Sequence, residues 1–296
     1  MKQFYWASLS APLLFAATPA SAAADCQPQF QTASQTVVIS GISVSTGAVT
    51  SENFGIRIGN DGSGGRCPAT LRIVRSNTSP VINPVDYVVQ SGGQTLQVLQ
   101  NESQPGTSAS DLAIANLPSG NNGANFPFRI SVASGWGMAS GSQTDDLLVL
   151  LLDQTGAVVD TMMLTITFDV PPAVEVRVVG VTGQNAIASI DLGELNPRET
   201  TVSAPFGVRI WSTSPYTVSF LSQNQGSLVH GNLTSKISYR LFMDGQQINV
   251  RGAPAAYVPQ PTNALGDLHP LNVRVEPFVA RAGEYSDRVE VTVTAN

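Results

Sequence analysis

Positive charge is scarce in this sequence, and lysine is almost missing. Only 12% of the 296 residues are charged, lysine occurs only at Lys2 and Lys236, and the formal net charge is -6. A protein that binds nucleic acid needs clustered basic residues to neutralise phosphates, so we expect no nucleic-acid partner. Ser, Thr, Asn and Gln fill the polar positions instead, a composition more typical of an exported surface protein than of a cytosolic enzyme.

Long apolar runs and helical periodicity are also missing after the first residues. The nearest candidate for a membrane span, residues 147–152, has only the length of a strand. Short runs rich in Val, Ile and Thr alternate with many of the 26 glycines and 19 prolines, and no window shows a sustained period of 3.6 residues. This pattern predicts an all-β protein, with a β-sandwich as the default architecture.

The first residues have the pattern of a secretory signal peptide. Lys2 supplies a basic start, residues 9–17 are apolar, and small residues at 20–24 offer cleavage sites. We therefore expect residues 1–24 to be removed on export.

Cysteine occurs only twice, at Cys26 and Cys67. In an oxidising compartment such a pair favours a disulfide, which would join the first strand to a position just before the strand that begins near Pro68. The alternative is two unrelated free thiols.

Two parts of the chain read as copies of one another. Three matches in the same order predict a duplicated domain, with domains at 25–170 and 174–296 on either side of Pro171 and Pro172. Each domain is long enough to bury its own core. The matched segments are 54–58 (FGIRI) with 206–210 (FGVRI), 68–77 with 215–224, and 156–167 with 283–294.

The second repeat carries distinctive motifs. His230 precedes Gly231, residues 237–245 read ISYRLFMDG, and residues 282–294 read AGEYSDRVEVTVT. With these motifs the repeat resembles the spore coat protein U domain family, which includes subunits of archaic chaperone-usher pili in Gram-negative bacteria. Where the family often has a cysteine after the second strand, this repeat has Trp211.

The resemblance implies immunoglobulin-like β-sandwich domains, the C-terminal one incomplete and in need of a donated strand. Val289, Val291 and Val293 share one face of a strand near the C-terminus, so they are expected to line the acceptor groove. The implied partners are a periplasmic chaperone, an outer-membrane usher and an adjacent pilin subunit that donates the strand. The implied location is the cell surface, reached through the periplasm.

The position of Cys26 suggests where in a pilus such a subunit lies. Because Cys26 follows the leader almost directly, the sequence offers no alternating apolar extension to donate to another subunit. A subunit that accepts but does not donate a strand belongs at the pilus tip, where two-domain relatives act as adhesins in contact with an abiotic or host surface. The alternative is a non-adhesive pilus shaft subunit or a spore or surface coat component.

The sequence leaves two ways to complete the first domain. If segment 156–167 corresponds to the last strand of the second repeat, the first domain also lacks a strand. If residues 145–168 form a hairpin that turns at 153–156, the first domain is self-sufficient. A Gln-Thr-Gly sequence between two apolar runs favours the hairpin.

Trp136 and Met138 lie in a Gly/Ser-rich loop at 134–142. We expect this loop at the end of the first domain distal to the junction, where it would form a surface-contact site. The alternative is that Trp136 folds back as a lid on its own core.

Enzyme chemistry has little support. His230 and His269 have no spacing that suggests a metal site or a Ser-His-Asp group, and Asp145 and Asp146 should point to opposite faces of a strand. We therefore expect no catalytic residues, no metal and no cofactor. A secreted carbohydrate-binding enzyme module is a further alternative, but the sequence has neither an acid pair nor a calcium loop to support it.

Overall fold

The computed structural model describes residues 26–76, 85–120, 122–184, 187–232 and 234–296, so the predicted leader at 1–24 lies outside the described residues. Every regular element in this described part is a β-strand, which confirms the all-β prediction, and no helix there could cross a membrane. The 23 strands in chain order are β1 (Pro28–Phe30), β2 (Ser34–Ile39), β3 (Val49–Asn60), β4 (Ala69–Arg75), β5 (Tyr87–Ser91), β6 (Gln94–Leu96), β7 (Asp111–Ile114), β8 (Ala124–Ala133), β9 (Gly141–Leu152), β10 (Val158–Val170), β11 (Val174–Val179), β12 (Thr182–Gln184), β13 (Ile187–Ser189), β14 (Thr201–Val202), β15 (Phe206–Ser212), β16 (Tyr216–Ser222), β17 (Ser227–His230), β18 (Lys236–Met243), β19 (Gln246–Ile248), β20 (Arg251–Val258), β21 (Asp267–Val275), β22 (Tyr285–Ser286) and β23 (Val289–Ala295).

Strands β1 to β10 form two facing sheets, which we call the N-terminal half. One sheet has the order β1-β3-β8-β5-β6 and the other has the order β2-β10-β9-β4-β7. The central strands correspond to the A-B-E-D and C-F-G sheets of an immunoglobulin domain, with β10 as strand G. Strand β2 pairs with β10 in parallel orientation, and β9 pairs with the other edge of β10. Both edges of β10 are therefore hydrogen-bonded.

Strands β11 to β23 form the C-terminal half. The order β11-β15-β21-β18 corresponds again to A-B-E-D, and β16 and β23 correspond to C and F. Strand β20 pairs with β16 on the side opposite β23. No described residues take the place of strand G, so this second immunoglobulin-like sandwich is incomplete.

Alternation of apolar and polar residues explains how each half encloses its own core. Along β10, every second side chain from Met162 to Val170 is buried, because successive side chains of a strand point to opposite faces. Tyr216 and Phe220 of β16 are buried in the same alternating way. The buried residues of the N-terminal half form one large and one small cluster, and those of the C-terminal half form a separate cluster of their own.

Two of the three repeated segments occupy equivalent strands. Segments 54–58 and 206–210 lie in β3 and β15, and segments 68–77 and 215–224 cover β4 and β16. The pairing agrees in detail, since the glycine of the first motif faces a proline of the neighbouring strand in both halves. The two pairs are Gly55 with Pro127 and Gly207 with Pro270.

The third segment pair is wrong. Segment 156–167 lies in β10, which pairs with β9 and β2, whereas segment 283–294 ends in β23, which pairs with β16. Strand β9 pairs with β4 as β23 pairs with β16, so β9 is the true counterpart of β23. The two strands even share a spacing, with apolar residues two, four and six positions after an aspartate. The residues are Asp145, Leu147, Val149 and Leu151 in β9, and Asp287, Val289, Val291 and Val293 at β23.

The predicted hairpin of the first domain is present. Strands β9 and β10 pair antiparallel over their whole length, and the turn lies at residues 153–156. The Asp153 carboxylate accepts hydrogen bonds from the Thr155 hydroxyl and from backbone N–H groups of the turn, which lowers the pKa of Asp153. The N-terminal half therefore supplies its own strand G.

The disulfide prediction is confirmed. Cys26 and Cys67 are bonded, with their Cα atoms 4.9 Å apart, and Cys67 is fully buried in the N-terminal core. Cys26 lies just before β1 and Cys67 just before β4, so the bond joins the two sheets of the N-terminal half at one end.

Candidate functional site: the open edge of strand β23

Strand β23 is held from one side only. It pairs antiparallel with β16 from Ser222, opposite Val289, to Tyr216, opposite Ala295. Its other edge has no partner among the described residues, whereas β9 pairs with β4 on one side and β10 on the other. The backbone N–H and C=O groups along this edge are thus available to a further strand.

The three valines expected in an acceptor groove lie beside this edge. Val289, Val291 and Val293 point toward the C-terminal core but remain partly exposed. Their counterparts in β9, Leu147, Val149 and Leu151, each have 0% exposure. The difference arises because β10 covers β9, and no described strand covers β23.

Strand β11 forms the opposite wall of this opening. Val174, Val176 and Val178 of β11 are partly buried against the same core, and Cα atoms of β11 and β23 approach within 8 Å. We call the surface formed by these three valines and by Val289, Val291 and Val293 the β11–β23 groove. It is apolar along both walls, and β11 and β23 are each an edge strand of their own sheet.

The first strands of the two halves follow different paths. In the N-terminal half, the chain leaves β3 after the three residues of β1 and joins β10 as β2. In the C-terminal half, β11 stays on β15 for six residues, from Val174 to Val179. In the N-terminal half, β10 and β2 therefore fill the space beside strand F. In the C-terminal half, none of the described strands fills it.

Asp287 fixes the start of β23. Its carboxylate accepts hydrogen bonds from the Ser222 hydroxyl at 2.5 Å, the Tyr239 hydroxyl at 2.6 Å and the Asn224 backbone N–H at 3.1 Å. Burial, together with the bond to Asp287, raises the pKa of Tyr239, so its hydroxyl stays a donor. This aspartate anchors β23 to β16 and β18 although the far edge of β23 is open.

The N-terminal half has the same anchor at the equivalent place. Asp145 of β9 accepts hydrogen bonds from Arg75 at 2.5 Å and from the Tyr87 hydroxyl at 2.7 Å. Burial raises the pKa of Tyr87, and the hydrogen bond to Asp145 adds to the effect. Asp146 points to the other face and accepts a hydrogen bond from Thr165, as the alternation along a strand requires.

The glycine of the AGEY sequence at 282–285 lies against a histidine ring. Gly283 has φ +148°, and a Cβ atom there would lie 2.1 Å from His230 Nε2. His230 packs edge-on against Tyr285 with ring centroids 5.2 Å apart. A side chain at position 283 would therefore require the His230 ring to move away from the segment that leads into β23.

Trp211 of β15 contacts two neighbouring segments. Its indole N–H donates to the Ala264 carbonyl at 3.2 Å, and the Arg177 guanidinium lies 5.2 Å from the ring centroid. Trp211 thus ties β11 and the 259–266 loop to β15 by contacts other than a disulfide.

The predicted position of the Trp136 loop is wrong. Trp136 and Met138 are partly buried against the N-terminal core, and the loop lies at the junction rather than at the distal end. The Ser140 N–H donates to the Thr213 carbonyl at 2.6 Å. Gly137 has φ +103°, and a Cβ atom at this position would lie 3.1 Å from the backbone nitrogen of Ala264. The sequence could not reveal this because the partner residues lie more than 70 positions away.

The histidines have polar partners within the fold. His269 Nε2 lies 3.0 Å from the Tyr216 hydroxyl, which donates to Asp267, and His269 Nδ1 lies 2.7 Å from Asp244. Because Tyr216 is fully buried, its hydroxyl cannot meet a substrate. In the described part of the chain, no three His, Cys, Asp or Glu side chains are grouped so that they could hold a metal ion.

Comparison with known proteins gave distant structural likenesses only. No family model matches the chain, and no curated protein matches it. The tip adhesion subunit of archaic chaperone-usher Csu pili of Acinetobacter baumannii, in a pre-assembly complex with its chaperone, is 16% identical, with 88% of this chain and 98% of that chain covered and a TM-score of 0.41. CfaE, the adhesive subunit of CFA/I fimbria of enterotoxigenic Escherichia coli, is 13% identical, with 88% and 92% covered and a TM-score of 0.38. The CupB6 tip adhesin of Pseudomonas aeruginosa is 13% identical, with 86% and 89% covered and a TM-score of 0.36.

Proposed function

We propose that this protein is the tip subunit of a chaperone-usher pilus and that its C-terminal half accepts a strand from the adjacent pilin subunit. The open edge of β23 beside the half-buried Val289, Val291 and Val293 is the observation that carries the proposal. The N-terminal half of the same chain has β10 in that place, which supports strand addition as the way to complete the sandwich.

An uncovered apolar strand edge promotes aggregation, so it must be protected before assembly. A periplasmic chaperone would cover the β11–β23 groove, and the outer-membrane usher would then bring the adjacent subunit whose strand replaces it. The apolar walls of the groove suit a strand with alternating apolar side chains, as β10 has in the N-terminal half.

The tip position is supported by how the chain uses the residues after Cys26. These residues form β1 and β2, which pair with β3 and β10 of their own sheets. They are thus committed to the N-terminal half and do not extend toward another subunit. A subunit that accepts a strand without donating one would end the fibre, with its complete half facing outward.

In this arrangement the contact surface would lie at the end of the N-terminal half away from the junction. That end carries the loop at 61–66 and the turn at 153–156, whereas the Trp136 loop lies at the junction. An abiotic or host surface would meet the polar loops first. Many pili on one cell would make weak individual contacts effective.

Strand acceptance is tested by extending the exported chain beyond Asn296 with a flexible turn and a copy of the β10 sequence. The extension should pair with β23, raise the unfolding midpoint of the C-terminal half and slow hydrogen exchange along β23. The matched control carries serine at the inward positions of the same extension and should change neither quantity. Equal effects of both extensions, or full protection of β23 without any extension, would refute the proposal.

Chaperone binding gives a second test. Val291→Asp places a charge in the β11–β23 groove, and Thr292→Asp places the same charge on the exposed face of the same strand. The first variant should lose co-purification with the periplasmic chaperone, and the second should retain it. Loss or retention in both would contradict the groove as the binding surface.

A further inference from the structure

A cleft of about 780 Å³ lies on the side of the C-terminal half away from the β11–β23 groove. It runs along β18, between the turn that joins β16 to β17 and the connection from β19 to β20. Its volume is within the range of ~300–1,000 Å³ that is usual for ligand sites. No residue of β23 lines the cleft, so the cleft does not overlap the β11–β23 groove.

The charge of the cleft is opposite to that of the protein. Lys236, Arg240 and Arg251 line it, and its lining includes no aspartate or glutamate, although the whole chain has a net charge of -6. Lys236 and Arg251 form no ion pair with any carboxylate of the described residues. Two of the three cations are therefore free to bind an anion.

The third cation belongs to a group that stays positive overall. Arg240 of β18 lies directly opposite Arg274 of β21, and like charges in this position destabilise a sheet. Glu276 lies 3.9 Å from Arg240 and 2.8 Å from Arg274, so one carboxylate serves two guanidinium groups. The balance leaves positive charge facing the cleft.

Primary amides supply the neutral polar part of the lining. Gln223, Gln225 and Gln247 line the cleft, and their side-chain amides form no hydrogen bond within the described part of the protein. Each amide can donate and accept, as binding of hydroxyl groups requires. The one aromatic residue of the lining, Tyr239, is only 8% exposed, so the cleft has no face on which bases could stack.

We propose that this cleft binds an acidic saccharide chain, that is, a carbohydrate with carboxylate or sulfate groups. The cations would pair with the acidic groups, and the glutamine amides would bind the sugar hydroxyls between them. The cleft is open to solvent along β18, so a chain could lie across it. The proposal stands on the C-terminal half alone and does not depend on the pilus assignment.

Titration calorimetry of the full exported chain tests the proposal with tetragalacturonate as the acidic probe and maltotetraose as the neutral one. Tetragalacturonate should bind and maltotetraose should not, and added salt should weaken binding. The variant Lys236→Gln, Arg240→Gln, Arg251→Gln should bind at least about tenfold more weakly, since hydrogen bonds to charged groups are the stronger ones.

A matched variant, Arg57→Gln, Arg129→Gln, Arg198→Gln, removes the same charge from exposed positions outside the cleft and should bind as the unmodified protein does. Gln247→Ala should weaken tetragalacturonate binding to a smaller extent. The proposal is overturned by equal weakening in both triple variants, by absence of tetragalacturonate binding, or by inorganic phosphate competing as effectively as the oligosaccharide. A thermal melt of each variant separates loss of binding from loss of folding.

Discussion

Strands β9 and β23 have the same sequence pattern and equivalent partner strands, yet β9 is paired along both edges and β23 along only one. Each starts near an aspartate that accepts a hydrogen bond from a tyrosine, Tyr87 in the N-terminal half and Tyr239 in the C-terminal half. Each pairs on one side with strand C, which is β4 or β16. Only β9 has a second neighbour, so the completeness of the sandwich depends on β10 and not on strand F itself.

The comparison also shows what a missing strand does to a core. Val149 is fully buried, whereas Val291, at the equivalent position, is partly exposed although it points the same way. Burial of apolar area stabilises by about 25 cal/mol per Å², so the exposed part of each groove valine is stabilisation that a donated strand could add. Four predictions test this difference, starting from the largest expected effect.

The first prediction concerns the stability that β10 gives to the N-terminal half. Leu164→Ser together with Ile166→Ser puts polar groups at two fully buried positions of β10 and should destabilise that half by more than about 4 kcal/mol. Denaturant unfolding with a probe for each half would measure it. Thr167→Ser, on the outward side of β10, is the control and should change little. A loss confined to the C-terminal half would show that β10 does not stabilise the sandwich in which it lies.

The second prediction concerns the disulfide, which only the N-terminal half has. Cys26→Ala with Cys67→Ala opens a loop with a sequence separation of 41 residues and should lower the stability of that half by about 2–4 kcal/mol. Differential scanning calorimetry should show the N-terminal transition moving down and the C-terminal one unchanged. If both transitions moved equally, the two halves would not unfold as separate units.

The third prediction uses one substitution at two equivalent positions. Val149→Ala should cost about 2–3 kcal/mol because it leaves a cavity in a closed core, and Val291→Ala should cost about 1 kcal/mol because its side chain is already partly exposed. Adding the strand extension described above should increase the cost of Val291→Ala. If Val149→Ala and Val291→Ala lowered the stability equally in the chain without the extension, β23 would already be covered.

The smallest expected effect is a pH dependence in the N-terminal half. The Arg72 guanidinium donates two hydrogen bonds of 2.8 Å to Asp111 and holds the pKa of that carboxyl below its usual value. Because the folded pKa is lowered, the contribution is present above the unfolded pKa of about 4 and is lost as the pH falls through the folded value.

Asp111→Asn should therefore cost up to about 1 kcal/mol at neutral pH, since the pair is partly solvated, and almost nothing at strongly acidic pH. Unfolding of the N-terminal half at a series of pH values would measure the difference. A cost that stays constant down to the lowest pH would show that the charge of Asp111 is not the source of the stability.

Local sequence physics predicted the parts of this fold that depend on neighbouring residues. The matched segments 68–77 and 215–224 contain β4 and β16, and both strands show the period of two that one buried face requires. The turn at 153–156 followed from its composition, and the export context led to the pairing of Cys26 with Cys67. Strands β1 and β7 have only three and four residues, too few for alternation to mark them.

Segment 156–167 was matched to the wrong strand because β9 and β10 both alternate, and alternation does not say which strand lies beside which. The place of the Trp136 loop depended on Thr213 and Ala264, far along the chain. The cleft along β18 could not be predicted from the sequence because its lining comes from three separate segments, whose charges converge only when β18 pairs with its neighbours.

By itself, the sequence determined where several of the longer strands form and which of their residues face inward, and it indicated two related units. Those properties follow from side-chain alternation and turn chemistry, which act over a few residues. The tertiary structure decided that β10 and β2 complete one sandwich and that β23 keeps a free edge. It also brought Lys236, Arg240 and Arg251 together in a cleft away from that edge. Hydrogen bonds and packing between segments distant in the chain determine which strands pair. The residues of a single segment do not indicate its partner.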